Sequence, residues 1–315
     1  MPALVAGIHD CLPRHKVVDG RAKPGHDEKE KPGPPWGRKA EWPPEPRGES
    51  PSCEEPSRSE KVRILVTNDD GIHAPGLKVL EEIARALTDD VYVVAPEMDQ
   101  SGVSHSLSLN DPLRLRKIDD THFAVKGTPT DCVIMGLRHI LKGMKVDLVL
   151  SGVNRGQNVA EDVTYSGTIA AAMEGTILGV PSIAMSQAYN FATRENPDYA
   201  CSLAHGPGII RKLLAAGMEP GILLNVNFPA RAPEEVTGVT VALQGQRNMD
   251  LLQVEPRHDG RGNPYFWLAF GRGRVEPAEG TDLHALADGK ISITPLRLDL
   301  TDLPSVTRLA EVLGG

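Results

Sequence analysis

No stretch of this 315-residue sequence approaches the roughly 18 consecutive apolar residues that a helix needs to span a bilayer, so no membrane role is expected. Cysteine is scarce. The four, at positions 11, 53, 132 and 201, form no C-x-x-C pair and lack the density of a disulfide-held secreted domain. Reduced thiols in a cytoplasmic protein are the simpler expectation. Positive charge is not in excess either: a net charge of -8 argues against a general affinity for nucleic acid polymers and for a small partner. The opening residues MPALVAGIHD have no basic stretch before their apolar patch, and no A-x-A-like cleavage site follows, so no export signal is read. Three common catalytic devices are also missing. No G-x-G-x-x-G follows the first strand, and neither G-x-x-x-x-G-K-[ST] nor G-x-S-x-G occurs. Nicotinamide dehydrogenases, P-loop NTPases and serine hydrolases therefore lose their main support.

What the sequence does contain divides near residue 60. The first 60 residues hold 11 of the 26 prolines and show no helical or strand periodicity. They are expected to form a disordered extension, either passive or the product of a start codon assigned too far upstream. Their 10 Lys+Arg against 11 Asp+Glu leave 24 against 31 in the remainder, so the extension hides no basic core. Residues 61–315 are expected to form one domain, since 40% hydrophobic content supplies an adequate core.

From Lys61 short apolar runs alternate with helical periodicity. VRILVT reads as a strand, and Leu77, Leu80, Ile83, Ala84 and Leu87 then recur at three- and four-residue spacing, which predicts a helix after Pro75. VYVVAP, DLVLS, SIAMS and LLNVNF read as further strands. Helices are predicted from Thr128 through Val133, Ile134, Leu137 and Ile140, from about Thr168, and over about 198–216. Repeated βα units imply an α/β fold with a mainly parallel sheet flanked by helices. After residue 236, VTVAL, YFWLAF and ISITPL suggest an antiparallel hairpin region used for association, before a short helix near Val306.

Ligands of open parallel sheets sit outside the carboxyl ends of the strands. Asn68, Asp69 and Asp70 lie at such an end. Turns use Asn and Asp freely, but a turn alone does not require two adjacent carboxylates, whose repulsion a divalent cation would relieve. Hard oxygen donors without Cys or His favour Mg²⁺ or Mn²⁺. Two later strand ends carry matching chemistry: Ser101-Gly102 after VYVVAP, and the amides Asn154 and Asn158 after DLVLS. Tyr165-Ser166-Gly167-Thr168 precedes IAAAMEG, so backbone N–H groups and hydroxyls gather at a helix start, which suits either a phosphate or an ordinary cap. His73 and His105 lie in the same loops as candidate proton carriers or local hydrogen-bonding residues.

Six stretches in order, VTNDDGIHAPGL, APEMDQSGVSHSLSL, LVLSGVNRGQNV, YSGTIAAAMEG, LLNVNFP and TDLHALADGKISITPL, resemble the SurE family of survival proteins, which are metal-dependent 5'-nucleotidases. The similarity spans about residues 62–312; the 60-residue extension departs from the family pattern. The resemblance implies a Rossmann-like core, a C-terminal β-hairpin region used for oligomerisation into a homodimer or homotetramer, and hydrolysis of nucleoside 5'-monophosphates, sometimes with 3'-nucleotides or polyphosphate. It places one divalent metal ion on Asp69, Asp70, Ser101 and Asn154, and phosphate near Asn158, Ser166, Gly167 and Thr168. Asp69 and Asp70 are then also the catalytic pair, orienting attacking water, with direct attack by Asp69 the less favoured alternative. A broad polyphosphate or sugar phosphate phosphatase and a non-catalytic nucleotide-binding sensor are the competing readings. Removal of residues 2–59 is expected to leave turnover, metal demand and the melting temperature nearly unchanged, because a proline-rich segment adds little buried apolar area. A loss of stability on truncation contradicts the expectation.

Overall fold

The computed structural model describes residues 62–190, 193, 197–247, 252–270 and 276–314. The extension expected over residues 1–60 lies outside them. Strand β1 (Ile64–Thr67) forms where four apolar or β-branched residues follow one another, and all four are fully buried. Helix α1 (Pro75–Arg85) opens on a proline whose missing N–H costs nothing in a first turn, and it turns Leu77, Leu80, Ile83 and Ala84 inward. Leu87 lies just beyond the helix but still packs on the same core. Strand β2 (Val91–Pro96) follows, then β3 (Arg114–Lys117) and β4 (His122–Lys126), a short antiparallel pair that the apolar pattern does not announce. β3 is an edge strand made of Arg114, Leu115, Arg116 and Lys117, and charge on an edge deters pairing with other chains while erasing the alternation.

Helix α2 (Pro129–Met135) starts on a reciprocal cap: the Thr128 hydroxyl accepts from the Asp131 N–H at 3.2 Å, and the Asp131 carboxylate accepts from the Thr128 N–H at 2.8 Å. The single helix expected through Ile140 instead widens at Gly136–Ile140 into a π turn, closed by the Leu141 N–H on the Gly136 carbonyl. Gly136 lies so close to Leu65 that an added Cβ would sit 2.8 Å from its side chain, and the turn accommodates that approach.

Strand β5 (Leu148–Arg155) runs four residues past the DLVLS segment, with a register shift against the next strand between Ser151 and Asn154. Helices α3 (Asp162–Tyr165) and α4 (Gly167–Ile177), strand β6 (Ser182–Gln187), helix α5 (Ala200–Ala216) and strand β7 (Ile222–Phe228) complete the alternation. Beyond it come β8 (Val239–Val241), β9 (Leu252–His258), β10 (Pro264–Phe270), α6 (Asp282–Ala287), β11 (Ile291–Arg297) and α7 (Leu303–Leu313). The C-terminal strands do not form one hairpin region. β11 pairs antiparallel with β7, and β8 pairs parallel with β11, so both extend the main sheet; only β9 and β10 form a separate antiparallel hairpin.

The main sheet has the order β3-β4-β2-β1-β5-β6-β7-β11-β8, and the pairs from β4 to β7 are all parallel. Residue alternation along each strand feeds two faces. Ile64 and Val66 pack toward α1 and α5, while Leu65 joins Phe123, Cys132, Val133 and Ala171 on the opposite face. The chain steps from β1 outward to β2 and later returns to β1's other side at β5, so the strand order switches direction there. The loops after β1 and β5 diverge from that point and leave a crevice at the carboxyl ends.

Helix α1 touches the far end of β5 at Gly76, where an added Cβ would run into the Val153 carbonyl. Gly76→Ala is expected to cost about 3 kcal/mol of unfolding free energy, since backbone cannot yield as a side chain tip does. Urea denaturation checks this, and a cost below about 0.5 kcal/mol contradicts the contact.

Candidate active site

The loop after β1 is closed by one side chain. Asn68 Oδ1 accepts from the Gly71 N–H at 3.2 Å and its Nδ2 donates to the Gly71 carbonyl at 3.0 Å. Gly71 takes φ +100°, which L side chains rarely adopt, and an added Cβ there would lie 3.2 Å from the Met98 backbone. The Gln100 N–H donates to the Asp69 carbonyl at 2.8 Å, and the Ile72 N–H to that of Pro96. The loops after β1 and β2 are thereby stitched together, with Asp69 and Asp70 between them.

Asp69 is 4% exposed. The Thr168 hydroxyl donates to its Oδ1 at 2.6 Å, and Gly167 approaches so closely that a Cβ would lie 2.7 Å from the Asp69 Cβ. Burial, and then the charge of Asp70, push the Asp69 carboxyl up to about 7, against the lowering effect of the Thr168 hydrogen bond. Asp70 is raised as well, mainly by burial and further by Asp99, while the Arg155 N–H on its Oδ2 at 3.2 Å and the Arg155 charge oppose the shift.

The other expected metal ligands lie on the neighbouring loops. Ser101 is exposed; its hydroxyl donates to Asp99 Oδ1 at 2.6 Å and its N–H to the same atom at 2.7 Å. Asn154, on the last turn of β5, donates through Nδ2 to the Gly156 carbonyl at 2.8 Å, which fixes the amide plane and turns Oδ1 the other way. Among the described residues no group of three or more His, Cys, Asp or Glu side chains forms a metal cluster. The candidate set is two carboxylates, a hydroxyl and an amide. Oxygen donors of this kind, including a buried carboxyl that resists ionising alone, fit a hard divalent cation and not zinc.

The residues expected near phosphate are partly engaged elsewhere. Ser166 caps α4, its hydroxyl accepting from the Ile169 N–H at 3.1 Å. Thr168 serves Asp69. Asn158 is buried and held on every side: its N–H donates to Asn227 Oδ1, its Nδ2 to the Ser186 hydroxyl, and its carbonyl accepts from Asn225 and Asn227. Asn225 and Asn227 escaped the sequence reading although two amides at alternate positions of a buried strand were its visible signal. Asp99 escaped as well. His105 Nε2 lies 3.0 Å from Glu174, and His73 is exposed. A cavity of 220 Å³ bordered by Asp70, Asp99, Arg155 and Tyr199 adjoins the carboxylates, and another of 820 Å³ is bordered by Ser104, His105 and Ser166.

A family profile described as survival protein SurE matches residues 64–251. The chain belongs to the SurE family. A relative from Methylorubrum extorquens named 5'-nucleotidase SurE is 72% identical over 249 residues, covering 79% of this chain and 98% of the relative. One of the same name from Azorhizobium caulinodans is 62% identical over 251 residues. The crystal structure of the SurE protein from Aquifex aeolicus superposes with a TM-score of 0.70 at 42% identity, covering 79% of this chain and 99% of that one. The SurE match and the crevice coincide, since the loops after β1, β2 and β5 all fall within residues 64–251.

The raised carboxyl of Asp69 sets a pH signature for the metal-free protein. A folded-state value of about 7 against an unfolded value near 3.8 means that folding binds a proton between them, so this contribution to stability is complete below about pH 4 and is lost as pH rises through 7. Asp69→Asn keeps the acceptor for Thr168 and removes the charge. Metal-free Asp69→Asn is expected to exceed the parent protein by at least about 2 kcal/mol at pH 8 and to lose that advantage as pH falls below about 4, as melts across that range would show.

Proposed function

We propose that this SurE chain hydrolyses nucleoside 5'-monophosphates to nucleoside and phosphate, and that it does so with one divalent cation, Mg²⁺ or Mn²⁺. The single observation that carries the reading is the buried Asp69 carboxyl beside Asp70 at the strand-order switch, raised to about 7 by burial and then by the charge of Asp70. The relatives named 5'-nucleotidase SurE, matched over almost their whole length, supply the leaving group. We assign the activity to residues 61–315, with residues 1–60 as an extension.

Asp69, Asp70, Ser101 and Asn154 hold the cation, which when bound supplies charge neutralisation at the phosphoryl oxygens and activation of water. Asp69 is aimed by Thr168, so its direction does not depend on the ligand. Asp70 is aimed by the Arg155 N–H, and Ser101 by Asp99. Ser166 caps α4 and Gly167 and Thr168 begin it, with Gly167 against Asp69, and the first N–H groups of the helix receive phosphate oxygens. Asn158, locked by Asn225, Asn227 and Ser186, sets the loop that carries the remaining phosphate contacts.

Association through the hairpin fits its surface. Val254, Phe266, Trp267 and Leu268 are each at least 60% exposed, which an isolated subunit would not favour, so a homodimer or homotetramer joined there is part of the proposal. A cytoplasmic setting agrees with the unpaired, buried Cys132 and Cys201. Among the described residues no helix is long and apolar enough to cross a membrane.

A turnover panel of nucleotides, sugar phosphates and polyphosphate, with and without Mn²⁺ or Mg²⁺, tests the function. Asp70→Asn is expected to lower kcat at least about a hundredfold with the melting temperature preserved. Full activity at limiting metal contradicts the assignment. Thr168→Val separates two roles for that hydroxyl. Because it bonds Asp69, the substitution is expected to weaken Mn²⁺ binding about tenfold in calorimetry. Unchanged metal affinity with weakened vanadate binding returns Thr168 to the phosphate.

A further inference from the structure

The loop that leads from Asn158 to α3 is gripped from a distant part of the chain. Ala160 stands at φ +54°, in the left-handed region that favours glycine, and both of its backbone groups are held. Its N–H donates to Asp282 Oδ2 at 2.9 Å, and its carbonyl accepts from Gln244 Nε2 at 2.8 Å. The next two residues are held from the same side: the Arg247 N–H donates to Glu161 Oε2 at 2.8 Å, and Arg247 Nη2 donates to Asp162 Oδ2 at 2.5 Å. Asp162 is the first residue of α3, which is a single turn. The Ser166 N–H closes that turn on the Asp162 carbonyl at 3.0 Å, and Ser166 then caps α4. One helical turn thus separates the Asp162 side chain from Gly167 and Thr168, and its direction sets where the first N–H groups of α4 point.

We propose that Arg247 is a positioning residue for phosphate: by fixing the Asp162 carboxylate it sets the α3 turn, and through that turn the oxyanion-binding start of α4. The inference rests on the reading that α4 receives phosphate, and it adds a residue 85 positions from its partner that touches neither substrate nor metal. Cohesion alone does not account for this pair. A guanidinium and a carboxylate taken partly out of water lose hydration that one ion pair repays only in part, so an apolar contact would join the two segments at less cost. The Arg247 and Asp162 side chains are only 29% and 25% exposed, and Arg247 Nε is buried without a hydrogen-bond partner among the described residues. What an ion pair supplies and an apolar contact cannot is direction. The Val159 N–H, 3.4 Å from the same Asp162 oxygen, closes the loop onto the turn that Arg247 aims. Docking of the segment does not need the guanidinium, because Gln244 on Ala160, the Gly245 N–H on Asp282 and the Arg247 N–H on Glu161 remain without it.

The test is calorimetry of Mn²⁺ binding, and of vanadate binding to the Mn²⁺-loaded protein, on the full chain with melting temperatures alongside. Arg247→Met keeps an apolar stem and removes the ion pair. It is expected to weaken vanadate binding about tenfold, since oriented contacts are lost with small displacements, while Mn²⁺ affinity stays within about twofold. Arg247→Lys returns a cation to Asp162 and is expected to bring vanadate affinity back to within about threefold of the parent. Asp162→Asn is expected to match Arg247→Met, and the double variant to bind vanadate no more weakly than either single one, because both act through one contact. Unchanged vanadate affinity in Arg247→Met and Asp162→Asn, whatever their melting temperatures, overturns the proposal, and so does an equal loss of Mn²⁺ and vanadate affinity. Should Arg247→Met fail to fold, Asp162→Asn, whose amide oxygen keeps the Val159 contact, decides the matter in the same way. A parent protein that binds no vanadate overturns the phosphate reading and this proposal with it, whereas parent and variants that bind it equally defeat the positioning role alone.

Discussion

A carboxylate buried at the end of the first strand is the constraint around which the crevice is arranged. Moving an ionised group out of water costs several kcal/mol unless partners replace the lost hydration. Asp69 gets little replacement from the chain: the Thr168 hydroxyl and its own backbone N–H, against the added repulsion of Asp70 and Asp99. Burial wins that contest, which is why the carboxyl rises to about 7. Neighbouring structure then has to hold the group in place without neutralising it. The Asn68 clamp on Gly71, the Gln100 N–H on the Asp69 carbonyl and the close approach of Gly167 all grip backbone or Cβ and leave the carboxylate itself largely free.

Topology explains why those grips come from distant parts of the sequence. In a parallel sheet every strand delivers its following loop to the same edge, and the reversal of order beside β1 keeps the loops after β1 and β5 from covering each other. Asp70 therefore meets the Arg155 N–H across 85 residues, and Asp69 meets Thr168 across 99. Small residues make the contacts possible. Gly76 against Val153 and Gly167 against Asp69 each sit where no side chain fits, so α1 and α4 reach the strand ends as bare backbone.

The sequence announced those features whose signal is local. The adjacent acids, the proline-started α1, the Thr128–Asp131 cap and the parallel alternation all follow from spacing within a dozen residues, and each has its counterpart in the fold. Features that depend on long-range packing were illegible. β3 lacks apolar alternation because an edge strand needs none, β4 offers only the three-residue apolar run Phe123–Val125 between charged ends, and the π turn at Gly136–Ile140 answers to Leu65, which lies 71 residues upstream of its first residue. Hydroxyl roles were the least readable. Ser166 and Thr168 stand two positions apart, yet one caps its own helix and the other bonds a carboxylate from another loop, a division no local pattern encodes.

A second buried carboxylate shows what distinguishes a structural acid from a functional one. Asp282 is fully buried, like Asp69, but it accepts from the backbone N–H groups of Ala160, Gly245 and Leu283. An ionised carboxylate offers about four acceptor sites, and three charge-assisted hydrogen bonds nearly fill them. Asp282 thereby pins the loop that follows Asn158 to the chain entering the hairpin region, and the Arg247–Asp162 ion pair at 2.5 Å reinforces the same junction. Asp69 takes a single hydrogen bond from another side chain and borders an open crevice, so most of its acceptor capacity is unspent. Burial alone does not mark a binding group. Burial with unfilled acceptor sites is what gives the proposed cation something to bind, because the hydration lost by the carboxyl has not been replaced by the fold.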